Sequence, residues 1–271
     1  MRKRTLVLPD RGVAIVSTDV HGNLEDIRAV RRVFEASGPD AHWVVLGDLV
    51  HGPDADARVE NPPIYGYPDE SMRVVEEVAS AQAAAPGRVH FVLGNHDHGH
   101  VGGPHTRKFH RDEVAYLEAS LSPGEKHTLT ELFSNALLAV LSPCGVFMSH
   151  GSPPDDLRHI DDLDRIQDLG ARQDPYLTKV LAGFLTHYGQ RDDVCARFLA
   201  AASTGAVPAR VVVHGHDRDE RGFFHEGQRQ LCLCIFGAPR HEKRYLRLDL
   251  AAHYHLGHDL RDGIEILRLH A

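Results

Sequence analysis

Gly12-Val13-Ala14-Ile15-Val16-Ser17-Thr18-Asp19-Val20-His21-Gly22-Asn23 decides the fold. It begins as a short β-branched run, the pattern of a buried strand, and it stops at a polar cluster led by Asp19. The arrangement recurs twice. His42 to Leu46 stops at Gly47-Asp48, and Val89 to Leu93 stops at Gly94-Asn95-His96-Asp97. Between these runs, Leu24 to Ala36 and Glu70 to Ala84 carry apolar residues at helical spacing, among them Met72, Val75, Val78 and Ala79. The order β-α-β-α-β predicts a partly parallel sheet. Ligands of such sheets gather beyond the carboxyl ends of the strands, where all three clusters fall.

A second set of strands is expected at Ala136 to Leu141, Val146 to Ser149, Arg210 to His214, Gln230 to Phe236 and Tyr245 to Leu250, with helices at Asp161 to Leu169 and Asp192 to Ala202. Two more clusters, His150-Gly151 and Gly215-His216, end apolar runs in this part. Arg111 to Leu121 reads as a helix ending before Ser122-Pro123-Gly124, and Gly52 to Pro68, rich in Pro, Asp and Gly, as a long loop over the same edge. The architecture this predicts is α/β, with two β layers covered by helices on both outer faces. A chain of 271 residues, 42% hydrophobic, fits one domain over 1–271, with the motifs confined to roughly 5–250. No repeat, low-complexity segment or linker divides it.

Composition narrows the function. The net charge is −8 with a pI near 6.2, and no basic block is longer than Arg2-Lys3-Arg4, so a nucleic-acid partner is not expected. There is no apolar signal core and no run of about 18 apolar residues, which predicts no membrane association and a cytoplasmic location. Cys144, Cys195, Cys232 and Cys234 lack C-x-x-C spacing and read as reduced core thiols. Histidines number 21, more than one site can use, and His98, His100, His105 and His110 read as a polar loop.

The clusters themselves carry chemistry. Carboxylate, imidazole and amide oxygen suit Mn, Fe or Zn, and two such ions need a carboxylate that can bridge them. Asp48, isolated between Gly47 and Leu49 at a strand exit, is the natural bridge. Asp19 and His21, two apart on an extended segment, can reach one ion only if the chain bends, which Gly22 permits. Asn95 offers a neutral oxygen. His96, its neighbour on an extended chain, would point elsewhere and is better placed as an acid. His150 and His216 are delivered to the sheet edge by the runs before them. Together these residues imply a binuclear metal site for phosphate-ester hydrolysis.

The five clusters resemble those of the calcineurin-like metallophosphoesterase superfamily. Over roughly residues 5–250 the chain is similar to its serine/threonine phosphoprotein phosphatase branch, through Phe198-Leu199, Val211-Val212-Val213-His214-Gly215-His216, Gly222-Phe223-Phe224 and Gly237-Ala238-Pro239. Superfamily members often place a second His where Arg218 stands, and this branch does without it. The resemblance implies a four-layer α/β/β/α sandwich and a metal-dependent phosphatase with two divalent or trivalent ions, Mn, Fe or Zn, Mn being the ion expected to serve in vitro. Asp19 and His21 would hold the first ion, Asp48 would bridge, and Asn95, His150 and His216 would hold the second. A hydroxide between the ions would attack phosphorus, and His96 would protonate the leaving oxygen. The substrate would be a phosphoprotein or a small phosphate ester. A nucleotide or dinucleoside polyphosphate hydrolase and a non-catalytic phospho-ligand-binding scaffold are the alternatives.

Departures from the branch are informative. Three and four residues after the bridging Asp, the branch has an Asp that orients the acid and an Arg that grips the phosphoryl group; here His51 and Gly52 stand there. A replacement cation is expected from Arg218, Arg240 or the His-rich stretch. Arg240-His241 also replaces an Asn-Tyr pair after Ala238-Pro239.

Overall fold

The computed structural model describes residues 2–170 and 174–270. The chain opens with β1 (Thr5–Val7), β2 (Val13–Ser17), α1 (Leu24–Ala36) and β3 (Ala41–Val45). Two short helices, α2 (Ala55–Glu60) and α3 (Pro62–Tyr65), precede α4 (Ser71–Ala84) and β4 (Val89–Phe91). The single turn α5 (Asn95–His98) leads to α6 (Glu113–Ser120), α7 (Pro123–Ser134), β5 (Ala139–Leu141) and β6 (Val146–Met148). The remainder contains α8 (Pro175–Thr186), α9 (Asp192–Ala202), β7 (Val211–His214), β8 (Phe223–Glu226), β9 (Gln230–Leu233), β10 (Arg244–Asp249) and β11 (Ile266–Arg268).

Strand alternation explains the layers. Ala14, Val16 and Val44 point to one side of the first sheet and share an apolar cluster with Val140, Met148, Val211 and Val213 of the second. Their alternates Ile15, Trp43 and Val45 face the other way, towards Ile27 and Val30 of α1 and Val75 and Val78 of α4. On the second sheet, Phe147 meets Phe184 of α8 and Phe198 of α9 at ring separations of 6.0 and 5.0 Å. Strands apolar on both faces must be covered on both, and the result is the four-layer α/β/β/α sandwich of the metallophosphoesterase type. The sheet orders are β11-β10-β2-β3-β4 and β1-β5-β6-β7-β9-β8. The pairs β2·β3, β3·β4, β6·β7 and β7·β9 are parallel, so the polar clusters share one edge.

Several expectations need correcting. The Tyr245 to Leu250 run joins the first sheet, not the second: β10 lies antiparallel to β2 with Leu246 opposite Val16. Apolar pattern tells that a strand is buried but not against which partner. Gly52 to Pro68 is not a plain loop, because the Asp54 side chain caps α2 through Ala57 N at 2.8 Å and prolines start α3. Ser122-Pro123-Gly124 likewise starts a helix instead of only ending one. Ser122 and Glu125 exchange capping bonds of 3.3 and 2.7 Å, with Pro123 at the first helical position. Asp161 to Leu169 is a shorter 3-10 stretch over Ile160–Arg165. β1, β8, β11 and α8 were not expected, the three strands being only three or four residues long. Finally, His98 and His100 are buried in helical turns, not set in a polar loop.

Candidate metal centre

The loops after β2 and β3 are bent at non-glycine residues. Asp19, His21, Asp48 and His51 have φ of 49°, 42°, 53° and 68°, and His216 after β7 has 70°. Each such residue costs about 1–3 kcal/mol of backbone strain, which the surroundings must overcome. Three backbone bonds join the two loops: Asp19 N to Gly47 O (3.0 Å), His21 N to Asp48 O (3.0 Å) and Gly22 N to Leu49 O (2.8 Å). The Asp97 carboxylate ties in the third loop by accepting from Asp48 N (2.7 Å), Leu49 N (3.0 Å) and Gly94 N (3.0 Å). Gly47, at φ 85°, passes so near Gly94 that a Cβ would come within 2.4 Å of its nitrogen. The expected bend at Gly22 is present, but Asp19 and His21 bend as well. Asn95 and His96 diverge because they begin α5, not because they are extended.

Asp48 is where the donors meet. Its Oδ2 lies 3.5 Å from both His21 Nε2 and His150 Nε2, while Oδ1 accepts from His96 N at 2.9 Å. Two compact donor groups share it: His21–Asp48–His96 and Asp48–His150–His216, each within 4.8 Å. Asn95 Oδ1 is 2.9 Å and His216 Nδ1 is 3.2 Å from His150 Nε2. Asp19 Oδ1 is 3.8 Å from His21 Nε2, and its other oxygen accepts from His216 N at 3.0 Å and from the Thr18 hydroxyl.

This donor set fits cations. His21 Nδ1 faces Val50 O at 3.1 Å and His150 Nδ1 faces Leu46 O at 2.7 Å. A carbonyl only accepts, so both Nδ1 atoms carry the hydrogen and both Nε2 atoms turn lone pairs towards Asp48. Burial, then the charges of Lys108 and His96, keeps His21 well below the usual histidine pKa, and burial pushes His216 down to about 2. Burial also raises the Asp48 carboxyl. Lone pairs converging on a buried carboxylate repel unless a cation lies among them, and backbone-oriented imidazoles are the usual form of metal-binding histidine.

A cavity of about 580 Å³ opens over these donors, lined also by Thr106, Arg107, Lys108, Tyr188, Arg218 and Phe236. Lys108 Nζ sits 3.6 Å from the centre of the Phe236 ring, and the Arg218 guanidinium 5.5 Å from it. Burial, followed by the nearby Arg218, brings the Lys108 ammonium down to about 7. No motif singled out Lys108. Arg240, by contrast, does not line this cavity and pairs with Glu25 of α1 at 2.6 Å. His51 is buried beside His96, with their Nδ1 atoms 3.0 Å apart.

A carboxylate does reach His96, but from α6 and not from position 51. Glu113 is fully buried, with Oε2 3.4 Å from His96 Nδ1. Burial opposes its charge, but the pull of His96 and the Phe109 amide outweighs that and holds it at about 2. Sequence reasoning could not find it, since Glu113 reads only as a first-turn helical acid. Asp97 was visible in its cluster but had no role until its three backbone partners were seen.

The model of the calcineurin-like phosphoesterase family matches residues 13–218. Among solved structures, the chain is similar to a protein serine/threonine phosphatase from Saccharomyces cerevisiae, with a TM-score of 0.62 and 14% identity over 91% of this chain and 76% of that one. A cold-active protein-tyrosine phosphatase of a psychrophilic Shewanella species gives 0.57 and 14% over 96% and 83%, and a candidate diadenosine tetraphosphatase 0.52 and 18% over 98% and 96%. At these identities the likeness is one of fold. No curated protein matches the chain in sequence. Among the described residues, no helix is long and apolar enough to cross a membrane.

Proposed function

The chain belongs to the calcineurin-like phosphoesterase family, and from that premise we propose that it is a binuclear metal-dependent phosphatase acting on phosphomonoesters, with residues 1–271 forming one catalytic domain and the motifs within roughly 5–250. The observation that carries this is Asp48, shared by two donor groups at 3.5 Å from an oriented imidazole on either side. Asp19, His21 and Asp48 would hold one ion and Asp48, Asn95, His150 and His216 the other, the ions being Mn, Fe or Zn. When bound, such ions lower the pKa of water and neutralise phosphoryl oxygens. His96 has its Nδ1 turned to His51 and Glu113, which leaves Nε2 to face the cavity and hand a proton to the leaving oxygen. Glu113 stabilises the charged imidazole. Lys108 and Arg218, which line the cavity, grip the phosphoryl oxygens, the task that position 52 cannot perform.

Turnover of p-nitrophenyl phosphate by the Mn²⁺-loaded protein tests this reading. No turnover with any of Mn²⁺, Fe²⁺ or Zn²⁺, at a metal content of at least two per chain, would leave a phospho-ligand-binding scaffold. A nucleotide or dinucleoside polyphosphate hydrolase is the second reading, favoured by Lys108, Arg107 and Arg218 lining the same cavity as the exposed Tyr188. Comparing kcat/KM for phosphopeptides, mononucleotides and dinucleoside polyphosphates separates the two.

A further inference from the structure

His51, His96 and Glu113 form a third compact donor group, and the binuclear chemistry proposed above does not use it as one. We propose that this group, completed by Thr106, is a third transition-metal site of the Zn²⁺ type, and that an ion there inhibits the enzyme by capturing His96. The inhibitory half rests on the proposed phosphatase reading; the existence of the site does not.

The geometry is that of a small tetrahedron. His51 Nδ1 and His96 Nδ1 are 3.0 Å apart, and Glu113 Oε2 is 3.4 Å from the latter and 3.8 Å from the former. Thr106 Oγ1 is 3.2 Å from each imidazole nitrogen. Zinc bound to His and carboxylate at about 2.0–2.1 Å in a tetrahedron spaces its donors about 3.3 Å apart. The observed edges scatter about that value. Two imidazoles and a carboxylate are also a donor set that zinc accepts.

Two further observations point to a cation. Glu113 Oε2 is fully buried and, among the described residues, has no hydrogen-bond partner, although it is aimed at this group. His51 is also oriented from behind by a chain of side chains. His100 Nδ1 lies 2.9 Å from Glu118 Oε1, so it carries a hydrogen, and neutral His100 then has its lone pair on Nε2. That atom is 3.0 Å from His51 Nε2, which must donate, leaving the lone pair of neutral His51 on Nδ1, inside the group. A metal-binding histidine is ordinarily held in this way by a donor–acceptor contact on its far nitrogen. His96 and Thr106 also line the main cavity, which gives an ion its way in.

An ion bound to His96 Nδ1 would replace the hydrogen that this nitrogen turns to Glu113, leaving a neutral metal-bound imidazole whose Nε2–H is too weak an acid to protonate the leaving oxygen. Tightly bound zinc, measured on the full chain after gel filtration, should be three per chain in the wild type and two in both Glu113→Gln and His51→Ala. Zn²⁺ added to the Mn²⁺-loaded wild type should suppress turnover of an alkyl phosphate, which needs the His96 acid, more than that of p-nitrophenyl phosphate, with His51→Ala needing at least about tenfold more Zn²⁺ for the same loss. Two zinc ions in the wild type, or three in a folded His51→Ala, would overturn the site. Three in the wild type and two in the variants, with no turnover under any metal, would keep the site and sink the phosphatase reading instead.

Discussion

Lys108→Met tests whether the cation that no motif announced takes part in substrate binding. Methionine keeps an unbranched stem against Phe236, where Lys108 Nζ now lies 3.6 Å from the ring centre, and removes only the charge. Unit charges 4 Å apart attract by about 4 kcal/mol at an effective dielectric of about 20. The cavity is open to water and Arg218 still lines it, so about half of this should be lost. About 2 kcal/mol corresponds to a roughly 30-fold rise in KM for p-nitrophenyl phosphate and in the inhibition constant of inorganic phosphate. Because burial brings this ammonium down to about 7, the wild-type KM should climb as pH rises through that value and the charge is lost. Lys108→Arg should restore binding and flatten the climb, since a guanidinium stays charged throughout. Steady-state kinetics and phosphate inhibition from pH 6 to 9 supply the measurement. Unchanged KM and phosphate inhibition in Lys108→Met would show that the phosphoryl group never reaches Lys108.

Asp48→Asn should be the most damaging single change, because a neutral amide cannot balance two cations; near-native metal content and rate in this variant would refute the shared-ligand assignment. His96→Asn should keep two Mn²⁺ per chain but lower kcat for alkyl phosphates by about two to four orders of magnitude, the usual contribution of a general acid, with a smaller loss for p-nitrophenyl phosphate. Equal losses on both substrates would make His96 a ligand or a positioning group. Asp97→Asn presents a donor to one of three backbone N–H groups and should weaken Mn²⁺ binding by about 10- to 100-fold, read by equilibrium dialysis, the usual consequence of losing an orienting partner. Native affinity would mean that the loops hold their shape without it.

The sequence alone determined the sandwich and most of the candidate metal-ligand residues, because both rest on local signals. Short β-branched runs specify buried strands, and each run delivers its terminal Asp, Asn or His to the sheet edge by chain continuity, so Asp19, Asp48, Asn95, His150 and His216 were legible one strand at a time. Even the parallel core of the first sheet followed from the alternation of runs with helical spacing. Contacts between segments far apart in sequence were decided only by the tertiary structure. The Tyr245 to Leu250 strand could have paired in either sheet until Leu246 was seen opposite Val16. Glu113 is an ordinary first-turn helical acid until folding brings it 3.4 Å from His96, and Lys108 an ordinary lysine until Phe236 and Arg218 surround it. The physical reason is one of range: hydrophobic periodicity and turn chemistry act over a few residues, whereas burial of a charge and its choice of partner depend on which distant segments pack around it.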